Sequence, residues 1–222
     1  MTKLPKHIKE RFFKTIKGDI SVHEFEQWLY SDKELENILD SGDYLDLISF
    51  SFQKSTAKYE LWNLLKKHID VGEFETYKLI ELLYETKRRS EKLPFILMDF
   101  YELYCKGLIF LREIGLGYGL SVVVPRMENT KADTWEELTE TQQKKLLDSF
   151  FPDLENEIDK VIDWFENGKI IIKGERDEIG YYTYDDYRTE EERTSDLWTE
   201  HTFENEESYL EKNNTKKWWK FW

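Results

Sequence analysis

One cysteine, four histidines and four prolines are distributed over the 222 residues of this chain, and long apolar runs are missing. With Cys105 alone no intramolecular disulfide can form, which fits a reducing compartment and points to the cytoplasm. Cys105 falls in the apolar run Phe95–Leu111 and is expected to be a small buried hydrophobe. The most apolar window, Leu93–Leu111, still holds Pro94, Asp99, Glu102 and Lys106. It falls short of the ~20 apolar residues that a membrane span needs, so it reads as a core helix. Met1–Glu10 are charged and lack the apolar segment of a secretory signal.

The scarcity extends to catalytic and ligating chemistry. His7, His23, His68 and His201 include no pair at the four-residue spacing of a helical zinc site and no His-Glu-x-x-His. Gly115-Leu116-Gly117-Tyr118-Gly119 matches neither a phosphate loop nor a dinucleotide loop, because its third glycine is misplaced and a strand-like run follows it. A sharp bend is expected there. Cys105 has no local signature of a neighbouring base. Carboxylates are so plentiful, 46 in all, that accidental neighbours such as Asp185 and Asp186 carry no catalytic meaning. The chain is read as a non-enzyme with no cofactor and no metal.

What the chain does have is negative charge and aromatic mass. A formal net charge of -14 repels nucleic-acid phosphate and anionic lipid and attracts basic partners, although solubility alone also explains an acidic surface. Eight Trp, thirteen Tyr and fourteen Phe exclude wholesale disorder; they fill a core or line a contact surface.

Helix signals dominate the first two thirds. Pro5 opens a helix to Lys17, with Ile8, Phe12, Phe13 and Ile16 at helical spacing and Gly18 at C′. Ser21 with Glu24, and Ser31 with Glu34, read as capping boxes of two short helices. Asp43 opens a segment through Phe52 that is helical at its start. Ser55–Ile69 and Glu73–Arg89 follow as helices punctuated by Gly72, then Phe95–Lys106. Leu120–Val124 ends in a β-branched run and predicts a short strand or an extended buried stretch. Pro125–Thr134 reads as a polar linker. Thr139 with Gln142 caps a helix to Phe151, and Pro152 starts another through Phe165, stopped by Gly168. Lys169–Lys173 and Gly180–Tyr187 predict a β-hairpin around a turn at 174–178. The fold class is therefore mainly α, a bundle of about seven helices with a small C-terminal β-hairpin. Residues 1–188 read as one domain. Residues 189–222 read as a loosely ordered tail, acidic and then Trp/Lys-rich, which could dock on its own domain, pair with another copy or lie at a membrane interface.

Two segments combine aromatics with carboxylates. In the hairpin, Tyr181, Tyr182, Tyr184 and Tyr187 flank Asp185 and Asp186; around Trp135 stand Asp133, Glu136 and Glu137. Tyr and Trp bury area at low entropic cost and keep a polar tip, and carboxylates beside them pair with Lys or Arg. Each segment fits two readings, a contact surface for a basic protein or an ordinary amphipathic element packed on its own core.

Two stretches carry a resemblance. Phe13, then Gly18-Asp19-Ile20-Ser21-x-x-Glu24-Phe25-Glu26-x-Trp28-Leu29-Tyr30, is the first. Trp164-Phe165-x-x-Gly168-Lys169-Ile170, with Tyr182-x-Tyr184-x-Asp186-x-Arg188, is the second. Together, over Phe12–Arg188, they resemble small helical immunity-type proteins that bacteria encode beside toxin genes, colicin-immunity-like families among them. The resemblance implies an acidic cytoplasmic binder that caps a cognate basic toxin and carries no catalytic residues. The rival expectation is a structural or regulatory adaptor working through helical contacts.

Overall fold

The computed structural model describes residues 4–125 and 132–193, and these are mainly helical with one two-stranded antiparallel sheet. The chain divides into two compact units, one of residues 4–84 with 171–185 and one of 85–170 with the described residues from 186 onward. Sequence composition suggests one domain because the chain passes between the units inside regular elements, without a Gly- or Pro-rich linker.

In the first unit the helices are α1 Lys6–Lys17, α2 Val22–Ser31, α3 Leu35–Ile38, α4 Ser41–Ile48, α5 Ala57–Lys66 and α6 Val71–Lys87, whose end belongs to the second unit. Ile8, Phe12, Phe25, Leu29, Leu35, Leu47, Leu61 and Leu65 are buried at helical spacing and form its core. Local chemistry sets most boundaries. Gly18 stops α1 at φ 96°, donating to the Lys14 and Thr15 carbonyls. The Ser21 box starts α2, with the Glu24 amide donating to the Ser21 hydroxyl and the Ser21 amide to Glu24. The second expected box is replaced. α2 runs through Ser31, whose hydroxyl donates back to the Trp28 carbonyl at 2.8 Å. Asp32, already extended, instead accepts from the Glu34 and Leu35 amides at 2.8 and 2.9 Å. Likewise Asp40, not Asp43, caps α4.

Strands β1 Ile170–Arg176 and β2 Tyr182–Asp186 form the hairpin, longer on its first strand than expected. Asp177 shapes the turn by accepting from the Ile179 and Tyr181 amides. Gly72 does not punctuate helices but lies inside the first turn of α6. A Cβ there would stand 2.0 Å from the Ile172 carbonyl oxygen, so the glycine admits the β1 backbone against the helix.

The second unit contains α7 Leu93–Cys105, a 3-10 turn Ile109–Leu111, a π-helix Glu113–Gly119, α8 Leu120–Val123, a 3-10 turn Trp135–Glu137, α9 Glu140–Asp148, α10 Asp153–Glu166 and α11 Glu190–Arg193. The glycine segment is thus neither bend nor strand lead-in. It is helical, and Leu120–Val124, expected as a strand or an extended stretch, continues it as α8. The reason is packing. A Cβ on Gly115 would meet the Phe100 carbonyl oxygen at 2.7 Å, and one on Gly119 the Leu97 carbonyl oxygen at 2.3 Å. Spaced four apart, these glycines let the π-helix lie directly on α7, which overrides the β preference of the valines. Cys105 is exposed, contrary to expectation. The buried stripe of α7 runs Leu93, Ile96, Leu97, Phe100, and its continuation falls on Tyr104 rather than Cys105. Thr189 with Glu192 caps α11, so the first residues of the expected loose tail are helical; 194–222 lie outside the described residues, as does most of the expected linker.

Alanine substitution tests the glycine roles. Gly115→Ala and Gly119→Ala should each destabilise the chain by roughly 1–3 kcal/mol through backbone overlap. Gly117→Ala, which meets only the Glu113 carboxylate at 4.0 Å, should be neutral or stabilising by up to ~1 kcal/mol. Thermal melts of the three variants measure the contrast.

Candidate protein-binding surface

The hairpin, expected as the contact element, has its charge engaged inside its own unit. Within the first unit, Tyr182 is half-buried. Its hydroxyl donates to Glu75 Oε2 at 3.2 Å, and the Arg176 guanidinium lies 3.1 Å from its ring centroid. Burial, and then the Glu75 charge, raise the Tyr182 pKa above its ordinary 10.0. Asp185 forms an ion pair with Lys173 on the facing strand. Tyr184 is partly buried, while Tyr181 is 44% exposed beside Ile179 at 73%.

Asp186 and Tyr187 belong to the second unit. Tyr187 is exposed, and its amide donates to the Lys169 carbonyl at 2.7 Å. Asp186 accepts from Arg188 three times, from the amide at 3.0 Å, Nε at 3.1 Å and Nη2 at 2.8 Å, and Arg193 Nε stands 3.5 Å away. The Arg188 side chain is fully buried, 4.5 Å over the Trp164 ring. Burial alone would raise the Asp186 pKa, but the Arg188 hydrogen bonds and charge outweigh it and hold the carboxyl below 3.8. Asp186 is thus the counterion that lets Arg188 be buried.

The second expected patch is also altered. Trp135 is buried, only 6% exposed, and its carbonyl accepts from Gln143 at 3.0 Å. Around it Asp133, Glu136 and Glu137 remain exposed, with Glu137 accepting from the Asp133 amide. The tryptophan is core and only the carboxylates are surface.

A third face, in the first unit, was not singled out by its sequence pattern. Residues 32–46 hold Asp32, Glu34, Glu36, Asp40, Asp43 and Asp46 against the single Lys33. Among the described residues no lysine or arginine pairs with any of the six; their cationic neighbours are His7, 3.0 Å from Glu34, and His68, 3.8 Å from Asp43. Beside them Tyr30 is 61% exposed and Leu45 57%, with the Tyr30 hydroxyl donating to the Ile48 carbonyl at 3.2 Å, one turn of α4 from Leu45. Charge counting along the sequence would have found this face; of its six carboxylates, sequence reasoning uses only Glu34 and Asp43, and these as helix-start residues. His68 lies under it, its side chain 10% exposed and its ring edge-on to Phe12. Burial lowers its pKa below 6.5, against the opposing pull of Asp43.

Among the described residues no group of three or more His, Cys, Asp or Glu is placed to hold a metal ion, and no helix is long and apolar enough to cross a membrane. No protein-family model, characterised protein or solved structure matches this chain.

Two outcomes follow from the ionisable groups. Removing Asp186 leaves Arg188 buried without this counterion, so Asp186→Ala should cost roughly 2–3 kcal/mol, less than a fully buried pair because Asp186 keeps some solvent contact. A depressed carboxylate pKa stabilises above the unfolded value and loses that contribution as pH falls through the folded value, so the deficit should shrink in denaturant melts taken below pH 3.8. The depressed His68 pKa has the same sign. The unfolded chain binds this proton at a higher pH than the folded chain, so stability should fall as pH drops below 6.5, and His68→Gln should flatten that part of the stability curve.

Proposed function

We propose that this chain is a non-catalytic binding protein of the bacterial cytoplasm that neutralises a basic toxin or effector by covering it, as immunity proteins do. One observation carries the reading: the 30–46 face, where six carboxylates that have no lysine or arginine partner among the described residues adjoin the exposed Tyr30 and Leu45. Negative potential speeds encounter with a cationic surface, and an exposed tyrosine and leucine supply the apolar contact that slows release. On this reading the hairpin supplies shape through Ile179 and Tyr181 more than charge, since Asp185 and Asp186 are paired within the chain.

The second reading is an adaptor that binds a helical partner through apolar contact. The exposure of Tyr59 at 70% and Tyr30 at 61% favours it. Salt separates the two, because association steered by charge slows as ionic strength rises and apolar association does not.

The test is co-expression with the product of an adjacent toxin gene. Wild type should restore growth, and the triple change Glu36→Lys, Asp43→Lys, Asp46→Lys should abolish rescue while leaving the far-ultraviolet spectrum unchanged. In stopped flow with the purified toxin, the association rate should drop at least tenfold between 50 mM and 500 mM salt, on the order expected of steered encounter. Failure of the wild-type chain to rescue sinks the masking role.

A further inference from the structure

The second unit holds an open hollow of about 620 Å³. Its walls are apolar: Leu93, Pro94 and Phe95 from the start of α7, the buried Trp135, Leu147 of α9, and Phe151. Phe95 is 55% exposed, in a helix whose other large apolar residues near its start are buried. The rim is charged. Glu91, Glu140 and Asp148 line it, and among the described residues none of the three has an ion-pair partner. Of the two cations there, Arg89 is already engaged, 2.8 Å from Glu155 and 3.7 Å over the Phe151 ring, which leaves Lys144 against three carboxylates. A hollow with aromatic walls and a net negative rim suits a segment that combines large aromatics with lysines and has no acid of its own.

The chain carries such a segment. Lys216-Lys217-Trp218-Trp219-Lys220-Phe221-Trp222 has three lysines, three tryptophans, a phenylalanine and no carboxylate side chain, and the proposed function makes no use of it. We propose that residues 216–222 dock intramolecularly into this hollow, aromatic side chains against Phe95, Leu147 and Phe151 and lysines toward Glu91, Glu140 and Asp148. The connection is long enough. Arg193, the last residue of α11, is held in the second unit by its bonds to the Asp186 and Arg188 carbonyls at 2.9 and 2.8 Å. More than twenty residues separate it from Lys216, an extended reach of roughly 70 Å, against a diameter of about 30 Å for a small domain. A tether of this kind presents the segment at an effective concentration of the order of 1 mM, so even a weak intrinsic affinity keeps the hollow filled. Docking removes from water both the exposed Phe95 and an aromatic, cationic stretch of a chain whose net charge is -14.

Amide hydrogen exchange on the full chain, read by mass spectrometry over peptides spanning 210–222, tests this. In wild type the 216–222 amides should exchange at least about tenfold slower than their intrinsic rates, independent of protein concentration. Phe95→Asp, at an exposed position that leaves the fold intact, should restore the intrinsic rate. The charge-neutral triple Glu91→Gln, Glu140→Gln, Asp148→Asn should do so in part and remove the salt dependence of what remains. Intrinsic-rate exchange in wild type overturns the proposal. So does protection that survives both variants, since the segment then sits elsewhere. Protection that grows with protein concentration assigns the hollow to a second copy, and protection seen only with added anionic vesicles assigns the segment to a membrane surface; either result also overturns it.

Discussion

Forty-six carboxylates share thirty-two lysines and arginines in this chain, and the distribution of those cations governs which surfaces stay negative. Where the fold brings a cation to a carboxylate, the pair becomes scaffold. Lys17 meets Glu81, Lys87 meets Asp159, Arg89 meets Glu155 and Lys169 meets Glu192, each tying together segments far apart in sequence. Glu192 shows how far this goes: the Lys169 hydrogen bond, with the Thr189 amide, pulls its pKa down to about 2. Exposed pairs of this kind stabilise little one by one. Their larger consequence is electrostatic, since they consume cations and leave the 32–46 segment and the rim of the hollow with carboxylates that pair with no lysine or arginine among the described residues.

A buried guanidinium is the extreme case of the same allocation. Arg188 sits against the Trp164 ring and has no route to solvent, so it requires a fixed anion, and Asp186 serves. An aspartate that looks like part of an acidic recognition strip is thereby converted into a structural counterion. The hairpin keeps Ile179, Tyr181 and Tyr187 at the surface, and the exposed carboxylates that pair with no lysine or arginine among the described residues lie instead on α3, α4 and the turn before them.

Close backbone approach is the second organising feature. Gly72 and Gly174 meet where β1 crosses the start of α6, and Gly115 and Gly119 meet the carbonyls of Phe100 and Leu97 on α7. In sequence, a glycine at a helix stop and a glycine at a packing contact look alike. Gly18 and Gly168, which do end helices at positive φ, were legible because periodic apolar positions stop beside them. Gly72 was read as a stop on the same grounds, and the Gly115–Gly119 run as a bend, because the atoms that require those glycines belong to residues elsewhere in the chain. The exposure of Cys105 was hidden for a related reason: a displacement of one position off a helical stripe reverses the environment of a side chain. For Trp135 the structure selects the packed one of the two readings that the sequence leaves open.

The sequence by itself determined the class of fold, the hairpin near its end, most helix starts and stops, and the acidic, aromatic character of the molecule. All of these depend on bonds or periodicities contained within about four residues, or on composition. Tertiary structure alone decided which carboxylates are paired, which glycines carry a packing contact, and which aromatics face water. Those outcomes depend on partners brought from afar, as with Glu75 and Tyr182 or Gly72 and Ile172, and a chain records such meetings only once its core has closed.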